Sequence, residues 1–452
     1  MASHYVLEAC HSFGQMPSVT PRPARKRPST EERDALMRAA DAAMAAADYA
    51  TARELAEQAV AAADRNPEGN VRSSARRMLA LALLRGGRID DAARAADEAS
   101  RIAKAARAPA EEALAELALS QIERARGDYL AGLRRASRAR SLSARAESPV
   151  VHRAVLGEYG LLLSRLGDGE RARDLFDEAI ALPETGMSAT QAFEVMHGAA
   201  VAHRSAGRFG EALKMLDRAE GRAGASGLMS AAWPIARLRI LTYTDVGATT
   251  LARAVLAKHA PRAGAPVWMR AQSLAVEATI ALAAGERPEV IERCAVEGLA
   301  LEGVDPHLRI ALERLRASAL LARGLTDDAE RIAIELTTLS ARGGAHALAA
   351  LAMALAARAT GRAEASLLRW LGALGLATRG VAARVEHEAL AALAMEPDPV
   401  GAMARTGLAV VRARLLDYTP ASLRPSMKRT LRQGVEIRSR RQLIVRMESA
   451  IQ

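Results

Sequence analysis

The chain has 452 residues, of which 50% are hydrophobic and only 3% aromatic, and its formal net charge is +11. A chain of this size can bury a core, and it has no apolar run of the roughly 18 residues that a membrane-spanning helix needs. Its two cysteines, Cys10 and Cys294, cannot build a disulfide framework, so we expect a reducing, cytoplasmic location. The basic balance permits acidic or nucleic-acid partners without requiring them.

Residues 1–30 are predicted to form a disordered basic tail. Prolines 21, 23 and 28 interrupt its basic cluster and prevent a helix there. Ser29-Thr30 followed by Glu31-Glu32 is a typical helix start, with a capping hydroxyl and acids in the first turn. The helical part of the chain is therefore expected to begin near residue 31.

From there on, turns recur at a constant interval. Positions 47, 87, 127, 167, 207 and 247 are equivalent turn positions, and the step from each to the next is the same. Small or apolar residues follow at fixed distances, as Ala172, Phe176 and Ala179 do after Gly167. A fixed period of about 40 residues predicts an array of stacked helix pairs. No strand-like alternation is present, so essentially no sheet is expected.

The pattern predicts six regular pairs and three less regular ones. The regular pairs are Leu36–Ala46 with Thr51–Ala63, Ser73–Arg85 with Asp90–Ala105, Pro109–Arg126 with Leu130–Ala144, Val151–Leu166 with Glu170–Ala181, Ala189–Ala206 with Gly210–Gly221, and Met229–Val246 with Thr250–His259. Turns at Gly285, Gly324 and Gly361 extend the repeats to nine units over residues 31–380. Two further helices in residues 381–420 are expected to cap the array, because a repeat stack must end on a polar face.

The unit resembles the tetratricopeptide repeat. The resemblance rests on a small residue in the first helix, a glycine turn, and spaced small or apolar residues in the second helix; the best example here is Ala200, Gly207, Phe209, Ala212, Leu216 and Ala219. It covers about residues 35–375, although the family period is about 34 residues. The longer unit is similar to those of kinesin light chains and bacterial signalling regulators.

The resemblance implies a right-handed α-solenoid of stacked antiparallel helix pairs. In this family the first helix of each pair forms the concave wall. The resemblance further implies a non-enzymatic scaffold, adaptor or regulator that binds a protein or peptide on that wall.

Known chemical motifs are missing from the sequence. There is no P-loop, no His-Glu-x-x-His, no Cys-x-x-Cys and no Gly-x-Ser-x-Gly, so we expect no catalysis, cofactor or metal. His197 and His203 lie six residues apart and are interpreted as partly buried polar residues rather than ligands. Cys294 is expected to pack in the core rather than to react. Glu386-His387-Glu388 is interpreted as a solvated helix edge rather than an acid–base group.

Four arginines form the candidate binding row: Arg85, Arg124, Arg165 and Arg204. Each lies two or three residues before its turn glycine, near the end of a first helix. If the helices stack in register, their guanidinium groups line one groove and suit carboxylates through bidentate hydrogen bonds. The hypothesis is a groove for an acidic or C-terminal peptide. The alternative is that each arginine complements the helix dipole.

Residues 421–452 are predicted to be a basic amphipathic segment. Its candidate binding residues are Arg429, Arg432, Arg438, Arg440 and Arg441. It could dock on a partner, on the preceding helices or on phosphates. The alternative functions are therefore a nucleic-acid-associated transcriptional regulator that uses the basic ends, or a regulatory subunit of a separately encoded enzyme.

Overall fold

The computed structural model describes residues 28–65, 68–166, 168–183, 189–262, 264–342, 344–379 and 383–432. These residues form helices joined by short connections and include no strand. The predicted all-α solenoid of stacked antiparallel helix pairs is confirmed. The first helix begins at Pro28, so residues 28–30 are helical instead of belonging to the predicted tail. Proline is favourable at a helix start, where its missing N–H costs no hydrogen bond.

The helices are numbered in chain order. They are α1 (Pro28–Ala45), α2 (Tyr49–Asp64), α3 (Gly69–Arg85), α4 (Ile89–Ala105), α5 (Pro109–Arg126), α6 (Tyr129–Arg145), α7 (Pro149–Leu166), α8 (Gly169–Ala181), α9 (Ala189–Ser205), α10 (Phe209–Ala225), α11 (Ala232–Asp245), α12 (Thr249–His259), α13 (Val267–Ala284), α14 (Pro288–Leu299), α15 (Pro306–Ala322), α16 (Thr326–Arg342), α17 (His346–Ala359), α18 (Ala363–Arg379), α19 (Ala383–Leu393) and α20 (Val400–Asp417). Single 3₁₀ turns lie at Met229–Ala231 and Ala421–Leu423, and residues 424–432 are helical.

A compact left-handed turn reverses the chain inside seven units, at Ala47, Gly87, Gly127, Gly207, Gly247, Gly285 and Gly324 among the described residues. After α5, Gly127 has a φ of 83°, and its N–H donates to the carbonyl of Arg124. The N–H of Asp128 donates to the carbonyl of Glu123, and the Asp128 side chain accepts from the N–H of Ala131 at 2.8 Å. The C-terminal carbonyls of one helix and the N-terminal N–H groups of the next thus receive hydrogen-bond partners from the same short turn.

The same turn also joins one unit to the next. Positive φ values occur at Ala47, Gly87, Arg107, Gly127, Glu147, Gly207, Gly227 and Gly247, all separated by multiples of half the repeat period. Each helix with its turn therefore takes half of the period, and one unit consists of two such steps. The half-period is hidden in the sequence because Arg107 and Glu147 stand where a glycine would mark the turn.

Replacing Arg107 or Glu147 with glycine is expected to stabilise the fold. Both residues are exposed and have φ values of 53° and 51°, a region that costs a residue with a Cβ about 1–2 kcal/mol. Part of this gain is offset by the entropy of glycine in the unfolded chain, so we expect about 0.5–1 kcal/mol from each change. Urea unfolding of Arg107→Gly and Glu147→Gly measures it.

The matched controls are Ala106→Gly and Ala146→Gly, whose φ values are −78° and −81°. They change the residue immediately before each turn and should destabilise the protein. Equal effects at both positions of a pair would contradict a conformational origin.

The odd-numbered helices form the inner layer of the solenoid. Each contacts the next odd-numbered helix as well as its chain neighbours, whereas the even-numbered helices lie outside them. Alanines at the helix crossings, such as Ala136 and Ala139, are fully buried and let the backbones approach. Gly160 serves the same end, since a Cβ there would lie 3.2 Å from the ring of Phe176. The core is consequently a chain of small clusters, as expected for a repeat array.

The array curves until units five apart touch. Helix α5 of the third unit contacts α15 of the eighth, and α7 contacts α17. The Tyr129 hydroxyl lies 2.5 Å from Nδ1 of His307, and the Gly210 N–H donates to the Tyr418 carbonyl at 2.9 Å. We call these contacts the coil contacts. They enclose part of the inner face, which the sequence pattern predicts only as a wall.

The helical residues after α20 extend the coil contacts. Leu423, Met427 and Leu431 are buried in one cluster with Phe209 and Val246 of the fifth and sixth units. Two turns of the solenoid that lie far apart in the sequence are thus held together by apolar burial.

Leu415→Ala is expected to destabilise both of the solenoid turns that the coil contacts join. Leu415 is fully buried, and its side chain fills the space beside Gly207, where a Cβ would lie 2.7 Å from it. Such a truncation costs about 2–5 kcal/mol. Amide hydrogen exchange should therefore accelerate in α20 and also in the turn at residues 207–210.

Leu312→Ala is the control. Leu312 is equally buried, but within the cluster of α13 to α15. It should leave exchange at residues 207–210 unchanged. If Leu415→Ala also left that turn unchanged, the coil contacts would not hold the two coils together.

Candidate functional site

Three of the four predicted arginines come together on the inner face. Arg124 ends α5, Arg165 ends α7 and Arg204 ends α9. Burial lowers the pKa of Arg165, and the charges of Arg124 and Arg204 lower it further. The three guanidinium groups therefore share one electrostatic environment, because consecutive inner helices stack in register.

Most of the row is neutralised by acids from other units. Arg85 pairs with Glu194, Nε of Arg124 lies 2.8 Å from Glu158, and Nε of Arg204 lies 2.8 Å from Asp245. Arg165 has no ion pair or hydrogen bond with any described residue. All four arginines lie in the last turn of a helix, where they also complement its dipole.

Arg237 of α11 joins this group, although the repeat pattern gives no reason to single it out. It is half-buried and has no ion pair within the described part of the chain. Burial lowers its pKa to about 10, and the charges of Arg165 and Arg204 contribute. Arg165 and Arg237 are thus two neighbouring cations without a bonded acid.

Two histidines complete the centre of the inner face. His307 begins α15, beside Tyr129, and His197 of α9 lies against the ring of Phe193, with ring centroids 5.4 Å apart. Burial lowers the pKa of each to about 3, and the nearby arginines oppose protonation. Both rings are therefore neutral at physiological pH. His197 and His203 are half-buried, as predicted.

The carboxylate that acts on Arg237, that of Asp305, caps a helix and is not hydrogen-bonded to Arg237. The Asp305 side chain caps α15 by accepting from the N–H of Leu308 at 2.9 Å. Burial raises the pKa of Asp305, and the charge of Arg237 only partly opposes this. The centre of the inner face, defined by Arg165, Arg237, His197 and His307, can accordingly accept an anionic group.

An apolar cleft lies beside this centre, at the N-terminal end of the inner face. Its volume is about 320 Å³ and its lining comes from α1, α3, α5, α7 and α9. Met37, Met44 and Met78 supply flexible side chains, and the Arg85–Glu194 pair also lines the cleft. Methionines adapt to apolar groups of different shapes.

The basic C-terminal residues are separated from the inner-face arginines. Arg429 and Arg432 are exposed, on the helical turn whose apolar side packs against the solenoid. Of the three docking possibilities considered for this segment, residues 423–431 show docking on the preceding helices. Arg438, Arg440 and Arg441 lie outside the described residues.

Two other sequence interpretations have clear outcomes. Cys294 is buried in the cluster of α13 to α15, and burial raises its pKa to about 11, which confirms a core residue. The interpretation of Glu386-His387-Glu388 as a solvated edge is wrong, since His387 is 5% exposed. Helix α19 is covered by α17, α18 and α20.

Within the described ranges, no three His, Cys, Asp or Glu side chains form a possible metal site, and no helix is long and apolar enough to cross a membrane.

No family model and no curated protein matches the sequence. Three solved structures resemble the chain. A tetratricopeptide repeat protein from Parabacteroides merdae is 15% identical, with 64% of this chain and 99% of that chain covered and a TM-score of 0.39. Kinesin light chain TPR-like repeats from Podospora anserina are 16% identical, with coverages of 45% and 99% and a TM-score of 0.33. Yeast Tom70 is 10% identical, with coverages of 91% and 96% and a TM-score of 0.28.

These similarities concern helical-repeat architecture alone. The chain's own helix pairs, with left-handed turns and alanines at the crossings, are TPR-like, as the sequence predicts.

Acid should destabilise the protein through the inner-face histidines. The unfolded chain binds a proton near pH 6.5, whereas His307 in the folded chain binds one only near pH 3. Stability is therefore complete above pH 6.5 and falls with decreasing pH, by at most about 1.4 kcal/mol per pH unit for each such histidine. His307→Gln keeps an acceptor for Tyr129 and should lose less stability between pH 7.5 and pH 5.0.

Urea unfolding at the two pH values measures the difference. His152→Gln, on α7 and bonded to Ser143 rather than facing the arginines, is the control and should keep the acid sensitivity. Equal acid losses in all three proteins would show that His307 does not contribute.

Proposed function

We propose that this protein is a non-enzymatic scaffold or adaptor that binds an acidic segment of a protein partner on its inner face, in a regulatory, cytoplasmic role. The observation that supports this most directly is the pair Arg165 and Arg237. Two neighbouring guanidinium groups that no acid of the described residues bonds leave donors free for carboxylates. Because the site is half-buried, such hydrogen bonds are stronger there than on an open surface.

The adjacent cleft adds an apolar component. A peptide whose acidic residues reach Arg165 and Arg237 can place an apolar side chain among Met37, Met44 and Met78. A few buried anchors dominate the affinity of such interfaces, while charge complementarity speeds association and selects the partner.

The non-enzymatic part of the proposal is supported by how the inner-face histidines are engaged. His307 contacts the Tyr129 hydroxyl and His197 stacks near Phe193, and both rings are neutral. Nucleophilic catalysis usually needs a nucleophile that is hydrogen-bonded to a base, and a third group that orients this base. Neither histidine takes part in such an arrangement.

The test is an affinity pull-down from the native cell extract with the double variant Arg165→Gln and Arg237→Gln. This pair is preferable to Arg124, whose removal would leave Glu158, a side chain 5% exposed, without its cation. A partner bound through carboxylates should be recovered with wild type at low and moderate salt and after nuclease treatment. The double variant should bind it about 10-fold or more weakly, since hydrogen bonds to charged groups contribute about 1.5–3 kcal/mol.

The control is Arg134→Gln with Arg218→Gln. It removes the same charge from exposed positions on α6 and α10, in the outer layer. Equal partner recovery from both double variants would refute the inner-face site. Recovery that vanishes with salt or nuclease would instead favour nucleic-acid binding by the basic ends.

A further inference from the structure

A second cavity lies between two coils of the solenoid, away from the arginine centre. Its volume is about 620 Å³. One wall is formed by α8, α9 and the turn before α10, and the other by α18, α19, α20 and Tyr418 just after α20. Small-molecule sites commonly have volumes of about 300–1,000 Å³ and lie between structural units.

Part of the lining is apolar. Phe176 and the alanines of α9, Ala199 and Ala202, supply one side, while Ala377 and Ala383 supply the other. Phe176 is 2% exposed and is fixed by its packing against Gly160 and Gly198. Short side chains on both coils leave room for a planar apolar body.

Most charged groups around this cavity already form ion pairs or hydrogen bonds with other residues. Arg414 pairs with Glu386, and Arg173 lies 2.8 Å from Asp174. Asp168 caps α8 through the N–H of Arg171 and also pairs with the Arg171 side chain. These pairs contribute little net charge to the cavity.

Arg208 and His203 are the exceptions in the lining. The Arg208 guanidinium stands over the Tyr418 ring at 5.5 Å and has no ion pair with a described residue. Stacking on a ring leaves the edge of the guanidinium free to donate. His203 is half-buried, and its imidazole ring makes no hydrogen bond within the described part of the chain.

We propose that this cavity binds a small organic anion: a molecule with a planar apolar body and one carboxylate, sulfonate or phosphate group held by Arg208 and His203. Both coils line the cavity, so the bound molecule contacts both and stabilises the coil contacts. The site is spatially distinct from the partner site on the inner face, because no lining residue is shared with the arginine centre or the methionine cleft.

The probe is 8-anilinonaphthalene-1-sulfonate, which combines an apolar aromatic body with a single anionic group. Its uncharged analogue, N-phenyl-1-naphthylamine, tests the contribution of the anion. Fluorescence titration of the full chain should show one saturable site that prefers the sulfonate, and the sulfonate should raise the melting temperature. Absence of a saturable site would overturn the proposal.

Two variants test separately how the charge of Arg208 and the volume of the cavity contribute to binding. Arg208→Gln should weaken sulfonate binding about 10-fold or more while leaving the neutral analogue nearly unchanged, because only the charged hydrogen bond is lost. Ala202→Leu keeps the charge but fills the cavity, and it should weaken both probes. Arg218→Gln, an exposed arginine further along α10, is the matched control and should bind both probes like wild type.

The pattern of these results decides the matter. Sulfonate binding that is unchanged in both Arg208→Gln and Ala202→Leu would overturn the proposal, as would an equal loss in Arg218→Gln. Failure of the partner pull-down would leave this experiment unaffected, since none of its variants lies in the arginine centre or the methionine cleft.

Discussion

The three-residue left-handed turn is the constraint on which the rest of this structure depends. It gives each helix with its turn the same share of the repeat over the first six units, so that equivalent residues recur at equivalent heights in successive helices. Ala136 and Ala139 and their equivalents in the first two units, Ala56, Ala59, Ala96 and Ala99, are accordingly all fully buried. Regular crossings give each unit a similar small rotation relative to the last, and repetition of that rotation produces the curved array.

Curvature in turn creates contacts that no single unit contains. Units five apart meet, as Tyr129 does with His307 and Gly210 with Tyr418. These contacts enclose the inner face and bring cations from several units together. Desolvation and mutual repulsion then lower the pKa of Arg165 and Arg237 and keep His197 and His307 neutral. The electrostatic character of the site is therefore a consequence of the coil rather than of any one repeat.

The sequence predicts what is local or periodic. The helix pairs and the turn glycines follow from a period that can be counted, and the inner position of Arg124, Arg165 and Arg204 follows from the resemblance to the tetratricopeptide repeat. The half-period cannot be counted, because Arg107 and Glu147 occupy turn positions without the expected glycine. Arg237 and His307 could not be identified because their neighbours come from distant units. Which distant units meet depends on the sum of many small rotations between successive units, and the sequence does not give these rotations. Burial of His387 has the same origin, since three other helices cover α19.

An enclosed site has an energetic consequence for binding. Where a partner reaches Arg165 and Arg237 by separating the coil contacts, the separation costs the apolar burial around Leu415, Met427 and Leu431. The measured affinity is then the intrinsic affinity reduced by the fraction of molecules that are open. Anything that stabilises the coil contacts lowers this fraction. The cavity lined by Phe176, Arg208 and Tyr418 lies across such a contact, so a small anion bound there would oppose partner entry without touching the partner's site.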